Sequence, residues 1–146
     1  MRELPRQLSA EELAELFEGR TRFVELLAAR EDPLEHAPKV IAVLSEGEKH
    51  EVLDAHPAIG RTKGLSARSA AEQGTDVDPE VLAELARLNA VYETRHGFRF
   101  VVFVNRRPKS EILDVLRVRL GRTREEELDT GCRELVAIAR DRWTRT

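Results

Sequence analysis

The chain has 146 residues, 41% of them hydrophobic and 35% charged, which is enough for one domain with a buried core and a strongly charged surface. The net charge of −3 argues against nucleic-acid and membrane partners, and no apolar run approaches the roughly 20 residues of a membrane span or forms the core of a signal peptide. Cys132 is the single cysteine, so an intrachain disulfide is excluded and we expect a cytoplasmic protein.

The N-terminal part carries start signals for three helices. Ser9 and Glu12 are spaced as a capping box, in which each side chain accepts a hydrogen bond from the other residue's backbone N–H group. Apolar residues then follow helical spacing up to Gly19, and a second helix is predicted to begin near Thr21. Asp32-Pro33 marks the third start, because proline is favoured in the first turn of a helix.

The next stretch leads the chain to His56. Pro38 either lies in the first turn of the third helix or delays the start of that helix. Glu48 to Ala55 is predicted as a short helix, which ends where Pro57 biases the preceding residue towards extended backbone. His56 is therefore predicted at a helix-to-loop junction, where catalytic groups are common.

The middle of the chain is predicted to hold two helices and an extended segment. Ser66 caps a short helix through Gln73, and Asp78-Pro79 opens a long helix that Gly97 ends. Phe98 to Val104 is rich in β-branched and aromatic residues but has no second strand to pair with. We interpret it as a buried extended segment whose backbone N–H groups need partners, and a ligand could be one of them.

The C-terminal part predicts two further helices. Ser110 is predicted to cap the first, which ends at Gly121, and Thr123 with Glu126 forms a second capping box before the last helix. The predicted fold is all-α: a single compact helical domain over residues 1–146 with one short extended segment near residues 98–104.

The four histidines show no metal-binding pattern, such as a pair one helical turn apart, so no metal site is predicted. His36, His50 and His96 are interpreted as surface or boundary residues. His56 is the candidate for acid–base chemistry, although a structural role for it stays open on the residues alone.

A second polar cluster, Ser69-Ala70-Ala71-Glu72-Gln73, follows in the predicted short helix. Ser69 and Glu72 are three residues apart and share a helix face. Since no Gly-x-Ser-x-Gly motif surrounds Ser69, we do not expect it to be a nucleophile. We predict that this cluster and His56 face each other across one pocket, while an ordinary polar helix face is the simpler interpretation.

Two further polar features have two interpretations each. Asn89 lies at the edge of an apolar helix stripe, where it either ties the helix to the pocket wall or faces water. Arg106-Arg107, after the extended segment, either binds an anion or forms a solvated turn.

In combination these motifs resemble the OHCU decarboxylase family of ureide metabolism, where OHCU is 2-oxo-4-hydroxy-4-carboxy-5-ureidoimidazoline. The matching stretches are Leu53-Asp54-Ala55-His56-Pro57-Ala58-Ile59-Gly60, Ser69 to Gln73, Leu88-Asn89-Ala90-Val91-Tyr92 and Arg95-His96-Gly97-Phe98-Arg99-Phe100-Val101. Further matches are Glu111-Ile112-Leu113, Arg119-Leu120-Gly121 and Glu125-Glu126-Glu127-Leu128. Ala58 and Arg99 stand where the family often has Asp and Pro.

The resemblance implies an all-helical fold, usually a homodimer, that needs no cofactor. It implies decarboxylation of OHCU to (S)-allantoin, the last step of urate degradation. The family's catalytic histidine falls on His56 and its pocket glutamate on Glu72. Its substrate-binding positions fall on Pro57, Ser69, Ala70, Ala71, Glu72, Gln73, Phe100, Val101, Val102, Phe103 and Val104.

The residues are compatible with this chemistry, because the substrate's own carbonyl or imine can delocalise the carbanion left by CO₂. His56, with an ordinary pKa near the operating pH, would donate one proton. Glu72 would orient the ureido or hydroxyl group and help to fix His56, and backbone N–H groups of Phe100 to Val104 would bind ring oxygens. Two other functions stay open: a non-catalytic helical module that binds a ureide or a protein in the same cleft, and a cofactor-free cyclic-amide hydrolase that uses His56 and Glu72.

Overall fold

The computed structural model describes residues 3–59 and 78–145. Within these ranges the chain forms α1 (Ala10–Phe17), α2 (Arg22–Ala28), α3 (Pro33–Val43), α4 (Glu46–Asp54), α5 (Pro79–His96), α6 (Lys109–Leu120) and α7 (Arg124–Arg145). These ranges contain no strand, and residues 98–104 form an irregular segment between α5 and α6, so the predicted all-α class is confirmed. None of the helices described is long and apolar enough to cross a membrane.

The long helix α7 organises the packing, because it lies against α1, α3, α4 and α5. Its buried apolar side chains are Leu128, Cys132, Leu135, Val136, Ile138 and Ala139. Gly131 permits the close approach of α4, since a Cβ atom at this position would lie 3.0 Å from Cδ2 of Leu53. The end of α4, which leads into His56, is therefore held directly against α7.

The local start signals of three helices are confirmed. At α1, the Glu12 N–H donates to Ser9 Oγ at 3.1 Å, and the Ser9 N–H donates to Glu12 Oε1 at 3.0 Å. At α7, Thr123 and Glu126 exchange the same pair of bonds at 3.1 and 3.0 Å. The side chain of Asp78 caps α5. Each motif lies within four residues, so its geometry depends little on the rest of the fold.

Two predicted helix starts were wrong. Ser110 lies inside the first turn of α6, and Pro108 occupies the cap position without a side-chain hydrogen bond. The fourth helix begins two residues before its predicted start, because Ser45 and Glu48 form a capping box that the sequence analysis overlooked. The fixed φ of Pro108 favours a helix that starts directly after it, and not after Ser110 two residues later.

Pro38 lies in the second turn of α3, contrary to both predicted placements, because the helix begins at Pro33 and continues through it. Proline has no N–H group, so the carbonyl of Leu34, four residues earlier, loses its helical hydrogen bond. Arg140 of α7 replaces that bond by donating to the Leu34 carbonyl from Nε at 3.0 Å and from Nη2 at 2.8 Å. A tertiary contact thus compensates the interruption of the helix.

Candidate active site

His56 lies directly after α4, at the predicted helix-to-loop junction. Its N–H group donates to the carbonyl of Leu53 at 3.2 Å, which closes the last turn of the helix. Only 4% of the His56 surface is exposed, while Pro57 is half-buried. The candidate residue is therefore part of the core.

Burial makes the His56 imidazole neutral in the folded protein. Loss of hydration is the largest cause that lowers its pKa from 6.5 to about 3; the positive charges of Arg142 and Arg99 act in the same direction, and the carboxylate of Glu18 opposes them. The ring atom Nε2 has no hydrogen-bond partner within residues 3–59 and 78–145. Because buried polar atoms are nearly always paired, Nε2 is the atom of His56 at which we expect a ligand contact.

The charges that act on His56 include a buried ion pair between α7 and the end of α1. Arg142 Nη1 lies 3.0 Å from Glu18 Oε1 and donates to the carbonyl of Leu16 at 3.0 Å. Glu18 ends α1 with a left-handed φ of 63°, one residue before the predicted end at Gly19. The guanidinium group of Arg142 is thus fixed at the C-terminal end of α1, where it satisfies the carbonyl of Leu16.

Within the described ranges, residues 98–104 have no neighbouring strand, and side chains form hydrogen bonds with their backbone instead. The carbonyl of Val101 accepts a hydrogen bond from Arg119 Nη1 at 2.7 Å, and the Phe103 N–H donates to Glu134 Oε1 at 3.2 Å. The N–H group of Phe103 is therefore already paired. For the other N–H groups of the segment, a ligand contact stays a prediction.

Arg107 closes the turn after this segment. It donates from Nη2 to the carbonyl of Phe103 at 2.6 Å and from Nε to that of Val104 at 3.1 Å. Asn105 and Arg106 between them have φ values of 48° and 63°, which tightens the turn. Arg107 is thus a structural residue, and anion binding stays a hypothesis for exposed Arg106 alone.

Arg119 belongs to a buried network that joins the extended segment to α5 and α7. The carboxylate oxygen Oε1 of Glu127, a fully buried residue, accepts from the Tyr92 hydroxyl at 2.6 Å and from Arg119 Nε at 2.7 Å. The Arg119 guanidinium carbon also lies 4.5 Å from the ring centroid of Phe100. Burial and the hydrogen bond to Glu127 raise the pKa of the Tyr92 hydroxyl, which keeps it a donor.

Asn89 ties α5 to the loop after His56. Its Nδ2 atom donates to the carbonyl of Ile59 at 3.1 Å, and only 5% of the residue is exposed. Its Oδ1 atom is buried without a hydrogen-bond partner in the described ranges. The water-facing interpretation is therefore wrong, and that this loop forms the wall of a pocket stays a prediction.

The structure brings His56 and the start of the extended segment together, because Arg99 donates hydrogen bonds to the carbonyls of Asp54 and His56. Within the segment, Phe103 is half-buried and the other predicted ligand contacts are buried, namely Phe100, Val101, Val102 and Val104. The predicted helix from Ser66 to Gln73 lies outside the described residues, together with the site positions Ser69, Ala70, Ala71, Glu72 and Gln73. Their placement opposite His56 stays a prediction.

Sequence reasoning missed the charged residues that fix this region, namely Arg99, Arg119, Glu127, Glu134 and Arg142. One of them carried a usable signal. Arg142 follows Leu135 and Ala139 at helical spacing, so it had to lie on the apolar face of α7. The others depend on partners that only the tertiary fold brings near.

His96 is buried, contrary to its predicted surface or boundary position. It follows Tyr92 by four residues on the inward face of α5, with their ring centroids 4.5 Å apart, and it stacks on Phe98. Burial is the largest cause that lowers the pKa of His96. No group of three His, Cys, Asp or Glu side chains in the described ranges could hold a metal ion.

The stability of the protein is expected to fall as the pH falls from about 6.5 to about 3, because the unfolded chain protonates His56 in this window and the folded chain does not. Protonation of His56 changes the free energy of unfolding by at most about 1.4 kcal/mol per pH unit, and this pH dependence disappears above pH 6.5. Urea denaturation at pH 7.5, 5.5 and 4.5 measures it. His56→Gln should show a shallower pH slope than the wild type, with His36→Gln as the matched control; equal slopes in all three proteins would contradict it.

The comparisons with known proteins agree with the motifs. A sequence model of the family described as OHCU decarboxylase matches residues 2–144. The chain is 30% identical over 111 residues to the uric acid degradation bifunctional protein PucL of Bacillus subtilis (strain 168), covering 71% of this chain and 22% of that protein. It is 32% identical over 97 residues to the uric acid degradation bifunctional protein TTL of Arabidopsis thaliana, covering 60% of this chain and 30% of that protein. The matched region thus spans less than a third of either relative.

Two solved structures share the fold. An OHCU decarboxylase crystallised in the presence of (S)-allantoin superposes with a TM-score of 0.76 at 22% identity, covering 94% of this chain and 97% of that chain. An (S)-allantoin synthase superposes with a TM-score of 0.67 at 23% identity, covering 91% of this chain and 47% of that chain. At these identities the likeness supports the helical architecture, and the family follows from the sequence match.

Proposed function

Because the chain belongs to the OHCU decarboxylase family, we propose that it converts OHCU to (S)-allantoin and CO₂ without a cofactor. The observation that carries the proposal is His56, a buried histidine in the family's His-Pro motif whose Nε2 atom has no partner among the described residues. An imidazole that the fold withdraws from water can exchange a proton with a bound substrate instead of with solvent.

The neutral state of His56 changes the expected order of proton transfers. OHCU carries a hydroxyl and a carboxylate group on one ring carbon, next to an imine carbon. As CO₂ leaves, the electron pair of the broken C–C bond passes into the imine. A neutral His56 can take the hydroxyl proton while that oxygen becomes the ring carbonyl, and can return it to the former imine carbon. The ring nitrogen takes a second proton from solvent, so the reaction consumes one proton overall.

Glu72 and the extended segment complete the proposed site. In this proposal Glu72 orients the ureido or hydroxyl group of the substrate. The ring oxygens accept hydrogen bonds from the backbone N–H groups of Phe100, Val101, Val102 and Val104. Glu72→Gln keeps the shape and the hydrogen-bonding reach but removes the charge. A large loss of rate with unchanged thermal stability is expected; a rate close to that of the wild type would remove the electrostatic role.

The decisive experiment follows the optical activity of allantoin formed from freshly oxidised urate, together with CO₂ release, with and without the protein. We expect faster CO₂ release and an excess of the (S) enantiomer, because a fixed donor protonates one face and achiral solvent protonates both. Ring opening without CO₂ would instead indicate a cyclic-amide hydrolase. Binding of allantoin without any acceleration would indicate a non-catalytic ureide-binding module.

The assembly and location of the protein are also proposals. We propose a homodimer because it is the usual state implied by the family resemblance, and sedimentation equilibrium at micromolar concentration tests it; a monomer mass would contradict it. We propose a cytoplasmic location, which suits a chain whose single cysteine is buried and unpaired.

A further inference from the structure

Arg99 makes an unusual set of contacts with the end of α4. Its backbone N–H donates to Asp54 Oδ1 at 3.0 Å, and its Nη1 atom donates to the carbonyl of Asp54 at 3.4 Å and, more closely, to the carbonyl of His56. Its Nε atom lies 3.4 Å from Glu93 Oε1 of α5. The side chain is three-quarters buried, so it is held from both sides.

These contacts hold His56 by its backbone. The last carbonyls of a helix have no helical partner, and a guanidinium group can satisfy two of them while its charge suits the negative end of the helix. Asn89 donates a hydrogen bond at 3.1 Å to the carbonyl of Ile59, which lies three residues after His56. The loop that carries the imidazole is therefore fixed at two carbonyls, whereas Nε2 has no partner in the described ranges.

We propose that Arg99 is a positioning residue, whose guanidinium group holds the His56 carbonyl and so fixes the imidazole relative to the adjoining segment Phe100 to Val104. This inference rests on the proposed function in one respect, because the position of His56 matters for rate only if His56 exchanges the proton. Arg99 is placed to couple both parts of the site, since it precedes Phe100 in the chain and bonds to His56.

The test compares Arg99→Met, which keeps much of the side-chain volume, with Arg99→Lys, which keeps a cation one atom shorter. Small misplacement of a reacting group is costly, so Arg99→Met is expected to lower kcat by about 10- to 100-fold while KM for OHCU and the affinity for (S)-allantoin change by less than about 3-fold. Arg99→Lys should recover part of the kcat. Arg117→Met is the matched control, because Arg117 is exposed and pairs only with Asp114 among the described residues.

An NMR titration of the ¹⁵N-labelled His56 ring gives a readout that needs no turnover. Removing a positive charge that lowers its pKa should raise the midpoint in Arg99→Met and leave it unchanged in Arg117→Met. An Arg99→Met variant with an unchanged kcat and an unchanged ring signal would overturn the inference. A variant that loses kcat, allantoin affinity and thermal stability together would also overturn it. If Arg99→Met does not fold, Arg99→Gln, which also removes the charge, replaces it and is judged by the same criteria. If the wild type releases no CO₂ from OHCU, the proposed function fails. The ¹⁵N shifts of the neutral His56 ring at pH 7 then decide the inference: they should change in Arg99→Met if the imidazole is displaced and stay unchanged in Arg117→Met.

Discussion

Replacement of His56 by alanine is expected to lower the rate of (S)-allantoin formation by a factor of about 10² to 10⁴, the usual cost of losing a general acid or base. The buried imidazole is the only group of the His-Pro motif that can both take and return a proton. His56→Asn and His56→Gln should be similarly impaired, because an amide offers hydrogen bonds but acts neither as a general acid nor as a general base at neutral pH. Initial rates of CO₂ release and the enantiomeric excess of allantoin measure both effects.

Binding and folding controls separate chemistry from structure in these variants. If His56→Ala is folded by circular dichroism and still binds (S)-allantoin, its lost rate belongs to the proton transfer. Loss of both binding and rate would mean that His56 only positions the substrate, and turnover close to normal in all three variants would remove it from the mechanism. His36→Ala is the matched control, because His36 lies on α3 with its Nδ1 atom 3.3 Å from the carbonyl of Glu31, so its rate should match the wild type.

The neutral state of His56 could not be predicted from the His-Pro motif. The motif shows that a helix ends there, but the pKa depends on how deeply the ring is buried and on Arg142, which lies 86 positions away in the sequence. Capping boxes behave differently, since both partners lie within four residues, and Ser9–Glu12 and Thr123–Glu126 were predicted correctly. Sequence patterns therefore predict the local helix caps, but they do not predict which distant residues the long charged side chains contact.

The extended segment illustrates the same limit. Its β-branched and aromatic composition correctly predicted a mostly buried segment, which has no partner strand within residues 3–59 and 78–145. The identity of its partners was not predictable, because Arg119 and Glu134 reach it from two different helices. The burial of His96, like that of Arg142, could have been predicted, since His96 continues the stripe of Leu85 and Tyr92 at helical spacing.

Removal of the Glu127 carboxylate is expected to be strongly destabilising. Glu127→Ala should lower the free energy of unfolding by about 3–5 kcal/mol, because it leaves the buried guanidinium of Arg119 without its counter-charge and the Tyr92 hydroxyl without its acceptor. A loss of this size is a large share of the 5–15 kcal/mol typical of a whole domain. Urea denaturation at pH 7 measures it, and Glu127→Gln, which retains an acceptor oxygen, replaces it if the alanine variant does not fold.

A double-mutant cycle tests whether the loss comes from the pair. Arg119→Met with Glu127→Leu removes both charges, so the double variant should lose less stability than the sum of the two single variants. It should still be less stable than the wild type, since the Val101 carbonyl loses its donor. Asp114→Ala, which breaks the exposed pair with Arg117, should change stability little. Additive losses at Arg119 and Glu127, or a Glu127→Ala variant as stable as Asp114→Ala, would show that the buried ion pair does not stabilise the fold.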